Sequence, residues 1–305
     1  MQTGPAVVET RHLTKAFPGV VAVDELDLTI WPGEIFGFLG PNGAGKSTTI
    51  RMLLDLARPT SGAVEVFGLD PRAHAAAILR RTGYVPSEPA FSDQLTGRRF
   101  LREADALRGV DASAVREEMA TRLDAELDRR IRDLSTGNRQ KIALLHALAH
   151  EPDLIVLDEP TRGLDPLVQH TLHEMLRQAA DRGATVFLSS HSLAEVDRVA
   201  DRVGVIREGR LVAVDTLAGL KERATTTLEL ELAEPPDIGR IRAVDGVRSA
   251  EANGARLRVV VQGSVDAVLR AALVDSEVRS VRSAAADLED VFLDFYRADD
   301  GAVAP

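Results

Sequence analysis

Nine consecutive residues, Gly40-Pro41-Asn42-Gly43-Ala44-Gly45-Lys46-Ser47-Thr48, limit the possible fold more than any other part of the chain. They match the spacing G-x-x-x-x-G-K-[ST], in which glycines let successive backbone N–H groups turn inward around phosphate oxygens. The preceding run Ile35-Phe36-Gly37-Phe38-Leu39 is near-continuously apolar, as a parallel strand buried on both faces requires. Residues 46–54 read as a helix whose positive end aims at the same anion. Strand, glycine loop and helix together predict a phosphate cradle, with Lys46 reaching the β- and γ-phosphates and the Ser47 hydroxyl ligating Mg²⁺.

The remainder of the chain alternates short apolar runs with helical stretches, which predicts an α/β sheet with crossover helices. Leu154-Ile155-Val156-Leu157, Thr185-Val186-Phe187-Leu188 and Val203-Gly204-Val205-Ile206 are the further strand candidates. Asp165-Pro166 reads as a cap followed by proline at the first helical position, and apolar residues recur at helical spacing from Leu167 to Ala179 before Gly183. Ser192 with Glu195 three residues on has the pattern of a capping box. Residues 88–133 lack strand signals and predict a helical insert, with Phe100, Leu101, Ala104 and Leu107 at helical spacing. A second change of character comes near Lys221: Thr225 to Glu231 alternates like a strand, Asn253-Gly254 signals a hairpin turn, and Val265, Val268, Leu269, Ala272 and Leu273 are spaced as on a helix. The expected organisation is a nucleotide-binding domain over residues 1–220, a small α+β domain over 225–297 and a tail over 298–305.

Two further motifs bear chemistry. Leu154 to Glu159 is an apolar strand ending in two carboxylates. Asp158 stands at the strand's C-terminal edge, where it can hold Mg²⁺ directly or through water. Glu159, one residue on, could accept a proton from an attacking water. In Leu134-Ser135-Thr136-Gly137-Asn138, a serine and a glycine open a helix whose buried side carries Ile142, Leu145 and Leu148. Such a helix end offers N–H groups and a hydroxyl to an anion, although in isolation an ordinary serine cap is the default.

With these motifs in hand, residues 6–220 resemble the ATP-binding subunits of ABC transporters. Leu134 to Asn138 stands where that family carries its L-S-G-G-Q signature, shortly before the second acidic motif. The resemblance implies an ABC-type P-loop fold in which two copies close head to tail around two ATP molecules, so that Ser135 and Gly137 of one copy contact the γ-phosphate held by Lys46 of the other. It further implies that Asp165, in Gly163-Leu164-Asp165, lies at that interface, that His191 contacts the γ-phosphate, and that Phe17 stacks on adenine. Two departures stand out. The signature here reads Thr136-Gly137-Asn138, with Gln140 displaced, and Ser87, after Gly83-Tyr84-Val85-Pro86, replaces a glutamine that normally touches Mg²⁺ and the attacking water. The short α+β domain ending in Asp287 to Phe295 resembles the C-terminal region of daunorubicin-resistance-type exporter ATPases. Leu288, Val291, Phe292 and Phe295 form an apolar stripe there, either as the core of the tail or as a dimer contact.

Composition narrows the class. Lys+Arg of 37 against Asp+Glu of 47, a net charge of -10, argues against a general nucleic-acid binder, whose phosphate contacts need surplus cationic surface. With no cysteine there are neither disulfides nor thiolate metal sites. No segment approaches the roughly 18–20 apolar residues that span a bilayer, so the expectation is a peripheral protein on the cytoplasmic face of the cell membrane, powering a separate multi-spanning permease. A soluble ABC ATPase acting on ribosomes or DNA, and a regulatory module that binds ATP with impaired turnover, are the alternatives. His146 and His150, and His170 and His173, have metal-compatible spacing without a third ligand and read as packed or solvated helix residues. Arg129-Arg130-Ile131-Arg132 reads as a solvated helical face.

Overall fold

The computed structural model describes residues 4–219, 225–262, 264–274 and 276–285. The chain divides into two compact units, Met1–Val214 and Asp215–Pro305.

The first unit is built on a six-stranded sheet of order β5-β6-β7-β3-β8-β9, made of Thr82–Val85 (β5), Leu154–Asp158 (β6), Thr185–Ser190 (β7), Ile35–Leu39 (β3), Arg202–Arg207 (β8) and Arg210–Thr216 (β9). The pairs from β5 through β8 are parallel. All residues of β3, β6 and β7 are buried, which explains why they read as apolar runs without alternation. Phe187 of β7 packs against Phe36 and Phe38 of β3, with ring centroids 6.1 and 5.3 Å apart. Burying each such ring contributes about 1.5–3 kcal/mol. A second, antiparallel sheet of order β2-β1-β4 is made of Val20–Ile30 (β2), Val8–Phe17 (β1) and Ser61–Val66 (β4), and it closes the other side of the same apolar core.

Among the described residues seven α-helices serve this unit: Lys46–Leu53 (α1), Pro71–Arg80 (α2), Gly97–Arg108 (α3), Ser113–Arg122 (α4), Thr136–Leu148 (α5), Pro166–Asp181 (α6) and Leu193–Val199 (α7). Side chains cap α2, α3, α5 and α6. Asp165 accepts from the N–H groups of Leu167 and Val168 at 3.1 and 3.0 Å, with Pro166 following as the first helical residue. Ser192, by contrast, makes no capping bond. The Ser190 hydroxyl instead accepts from Ser192 N at 2.9 Å, the N–H that Glu195 would take in a capping box, and donates to Glu195 at 2.5 Å. The insert contains α3 and α4, but its expected stripe is only partly internal: Leu101 is buried, whereas Leu107 is 90% exposed. The arginine run is not a helical face either. Ile131–Asp133 forms a single 3₁₀ turn with Ile131 buried.

His146 is inside this packing. Its ring nitrogens lie 3.2 and 3.3 Å from the Arg108 guanidinium, and Phe100 packs 5.3 Å away. Burial, then the Arg108 charge, pushes its pKa down to about 4; His150 is pushed down to about 4 by the same two causes. The unfolded chain therefore binds protons below pH 6.5 that the folded chain refuses until about 4, so stability is lost as the pH is lowered from 6.5 towards 4. Thermal unfolding should show a falling Tm between these limits. His146→Phe, which keeps a ring but removes one titration, should fall less steeply; an unchanged slope would contradict this reading.

The second unit is a four-stranded antiparallel sheet of order β11-β12-β10-β13, with Thr225–Leu232 (β10), Val247–Asn253 (β11), Arg256–Gln262 (β12) and Val278–Ala285 (β13). Leu228, Leu230, Leu257, Val259 and Val261 form its core with Ile241 and Val268 from the helices Ile238–Arg242 and Val265–Leu273. The hairpin turn falls one residue later than its sequence signal. Asn253 still pairs with Arg256, and the turn is Gly254-Ala255, where Gly254 takes a φ of 60° that favours glycine. Leu273 lies on the expected helix and is 56% exposed. Leu288, Val291, Phe292 and Phe295 lie outside the described residues.

Candidate active site

The C-terminal ends of β3, β6 and β7 and the loop after β5 meet at one open cleft of about 470 Å³. The β3–α1 loop forms its floor. Gly45 has a φ of 110°, and a Cβ there would overlap the Ala22 carbonyl oxygen; one on Gly40 would overlap the Ile206 carbonyl. Only glycine therefore permits so tight a loop. No side chain caps α1, leaving its first-turn N–H groups to an anion. Lys46 is 5% exposed, and its ammonium donates to Gly40 O at 2.6 Å and Pro41 O at 3.1 Å.

The facing wall comes from β6 and β7. Glu159 has a φ of 53°, a left-handed conformation unusual for a side chain of this size, and is held there by Glu159 N donating to Ser189 O at 3.1 Å. One of its carboxylate oxygens stands 3.3 Å from the Lys46 ammonium. The other is in hydrogen-bond contact with Nδ1 of His191. Asp158 is buried beneath, accepting from the Ser189 hydroxyl at 2.7 Å. Behind it, burial, then the Asp158 charge, pushes the Tyr84 phenol up to about 12. Burial also raises the Glu195 carboxyl, even though it accepts from Ser190. A cradle of glycine backbone, one buried ammonium and a hydroxyl, backed by carboxylates, has the donor set that a magnesium-bound polyphosphate requires.

Of the residues expected at the site, Asn42, Gly43, Gly45, Lys46, Ser47, Thr48, Glu159 and His191 line this cleft together with Ser87. Ala44 is buried within the loop, and Asp158 lies under the cleft. Phe17, Ser135, Gly137 and Asp165 are not among the lining residues. Phe17 is 47% exposed, with the Lys15 ammonium 4.9 Å from its ring centroid. Ser135 is exposed at the start of α5, its hydroxyl accepting from Asn138 N at 3.2 Å. Gly137 fits closely against the β6–α6 loop: a Cβ there would come within 2.6 Å of Gly163 O. The displaced Gln140 is buried and donates to Pro160 O at 2.9 Å, tying α5 to that same loop, and the Asn138 side-chain amide donates to Glu126 at 3.2 Å. Asp165 is engaged as the cap of α6, and the N–H groups it accepts from, Val168 first, lower its pKa. One residue was missed at the sequence level. Arg162 lines the cleft, and its only signal was a cation three residues after the paired acids.

This combination of parallel sheet, glycine loop and paired carboxylates defines a P-loop nucleotide-binding protein. A family model described as ABC transporter matches residues 23–162. The daunorubicin/doxorubicin resistance ATP-binding protein DrrA of Streptomyces peucetius is 34% identical over 96% of this chain and 93% of its own length. The bacitracin transport ATP-binding protein BcrA of Bacillus licheniformis is 38% identical over 75% of this chain and 76% of its own. A solved structure described as an ATP-binding subunit of an ABC transporter superposes with a TM-score of 0.64 at 30% identity, covering 70% of this chain and 92% of that one. The chain belongs to the ABC transporter family, as one of its ATP-binding and ATP-hydrolysing subunits.

Proposed function

We propose that this subunit powers export of a drug-, antibiotic- or lipid-like compound through a separate membrane permease, working as a homodimer at the cytoplasmic face of the membrane. The observation that carries the reading is the division of labour on one copy. Lys46, Glu159 and His191 converge on a single cleft, whereas the Ser135–Gly137 helix end lies outside its lining and exposes its serine. A second copy, docked head to tail, would bring that helix end over the phosphates, so hydrolysis becomes conditional on closure. The relatives named for daunorubicin/doxorubicin resistance and bacitracin transport support export. No helix among the described residues is long and apolar enough to cross a membrane, in keeping with a separate permease.

In this reading the glycine-loop N–H groups and Lys46 bind the β- and γ-phosphates, the ammonium turning from the Gly40 and Pro41 carbonyls. Mg²⁺, held by Ser47 and through water by Asp158, would neutralise charge on the phosphate oxygens. Glu159 accepts the proton of the attacking water on its carboxylate, and His191 positions that carboxylate through Nδ1 before turning to the γ-phosphate. Ser135 and Gly137 of the second copy stabilise the γ-phosphate, Asp165 orders the interface beside them, and Phe17 stacks on the adenine. Ser87 is too short to reach the water, and Glu159, His191 and Lys46 suffice for turnover. Residues 1–220 act as the motor, with residues 88–133 as its helical subdomain, and residues 225–297 as an accessory domain.

The test is purification of the chain from gently solubilised native membranes. A stoichiometric multi-spanning partner is the expected result. Recovery only from the soluble fraction, or with ribosomal proteins, would remove the transporter role and leave the ATP site intact.

A further inference from the structure

Arg162 and Glu88 form an ion pair at the rim of the nucleotide cleft that no part of the mechanism above uses. The Arg162 guanidinium donates to Glu88 Oε1 at 3.0 Å. Glu88 follows Ser87 in the loop after β5, and Arg162 sits in the loop after β6. Because β5 and β6 are neighbouring parallel strands, the two loops leave the sheet side by side. The partners are 61% and 80% exposed. An ion pair this wet contributes little and exchanges readily for another anion.

The better anion is the one the cleft is built for. Arg162 lines it next to Ser87, Glu159 and His191, at the end that holds the reacting phosphate in the reading above. A guanidinium meets phosphate oxygens through two parallel N–H bonds, a stronger arrangement than one bond to a solvated carboxylate. The site also needs the charge. Lys46 and Arg162 are the two permanent cations in the lining, and the Lys46 ammonium already faces the Glu159 carboxylate at 3.3 Å. Ser87 is short, so no long side chain at that position stands between the guanidinium and the cleft.

We propose that Arg162 is a phosphate-binding residue of its own cleft. It leaves Glu88 for the terminal phosphate when ATP enters, and Glu88 sets the apparent affinity by competing for it. The proposal rests on the ATP-site reading, and its test separates the two. Equilibrium binding of a non-hydrolysable ATP analogue and of ADP, both with Mg²⁺, is measured on the full chain and its variants. Arg162→Ala should weaken triphosphate binding about tenfold and ADP binding hardly at all, and Arg162→Lys should recover part of the loss. Glu88→Gln should tighten triphosphate binding about twofold to threefold, but not when combined with Arg162→Ala. Unchanged triphosphate binding in Arg162→Ala, equal losses for both nucleotides, or the same Glu88→Gln effect with and without Arg162 would each overturn the proposal. Should the parental chain bind neither nucleotide, the ATP-site reading itself falls, and this one with it.

Discussion

Replacing Glu159 by glutamine is expected to reduce ATP turnover by about 10²–10⁴-fold, the usual contribution of a positioned general base. ATP binding should survive or tighten. Glutamine has nearly the same shape, so the left-handed backbone at Glu159 and its N–H bond to Ser189 O have no reason to change. The charge 3.3 Å from the Lys46 ammonium disappears, which frees that ammonium for phosphate. With ATP bound and not consumed, closure is not undone by hydrolysis, and the variant should accumulate as an ATP-loaded dimer. Phosphate release and size-exclusion chromatography with and without ATP check both halves. A variant that turns over at the parental rate would remove Glu159 from the base role.

Much of this site was legible in the residues because its constraints are local. The strand, tight loop and helix around Gly40, Gly45 and Lys46 can be read from spacing alone, since the close backbone approaches at both glycines leave no room for a side chain. The buried strands β3, β6 and β7 announce themselves by uninterrupted apolar runs. The misses have several origins, and two of them are competition between neighbouring local alternatives. Ser190 and Glu195 can both accept from the Ser192 N–H at the start of α7, and Ser190 takes it while donating to Glu195. Asn253 could have entered the hairpin turn, but pairing with Arg256 keeps it in the strand. Leu107 fits the helical period and still faces solvent, because periodicity cannot say where the insert has a neighbour to pack against. Arg162 escaped because its place on the cleft depends on β5 and β6 being adjacent, a property of topology.

The second large effect concerns the two ends of the phosphate grip. Lys46→Ala removes the one buried ammonium in the cleft and should weaken ATP binding by about 10²-fold or more, as expected for loss of a charge-assisted contact to phosphate. Ser135→Asp should behave differently. Aspartate caps a helix as well as serine does, so α5 should persist, and Lys46 with its glycine loop should still bind ATP. The new carboxylate, however, would face the γ-phosphate held by the other copy, and turnover should fall to background. Each variant alone is thus expected to be inactive, and titration calorimetry should find ATP binding lost only in the first.

Mixing these two inactive variants tests the shared site most directly. In a mixed dimer one cleft carries both lesions, while the other joins an intact Lys46 from one chain to an intact Ser135 from its partner. At equal amounts half the dimers are mixed, so phosphate release should return to as much as about a quarter of the parental rate if the two sites fire independently. No recovery at any mixing ratio would contradict a site built from two chains.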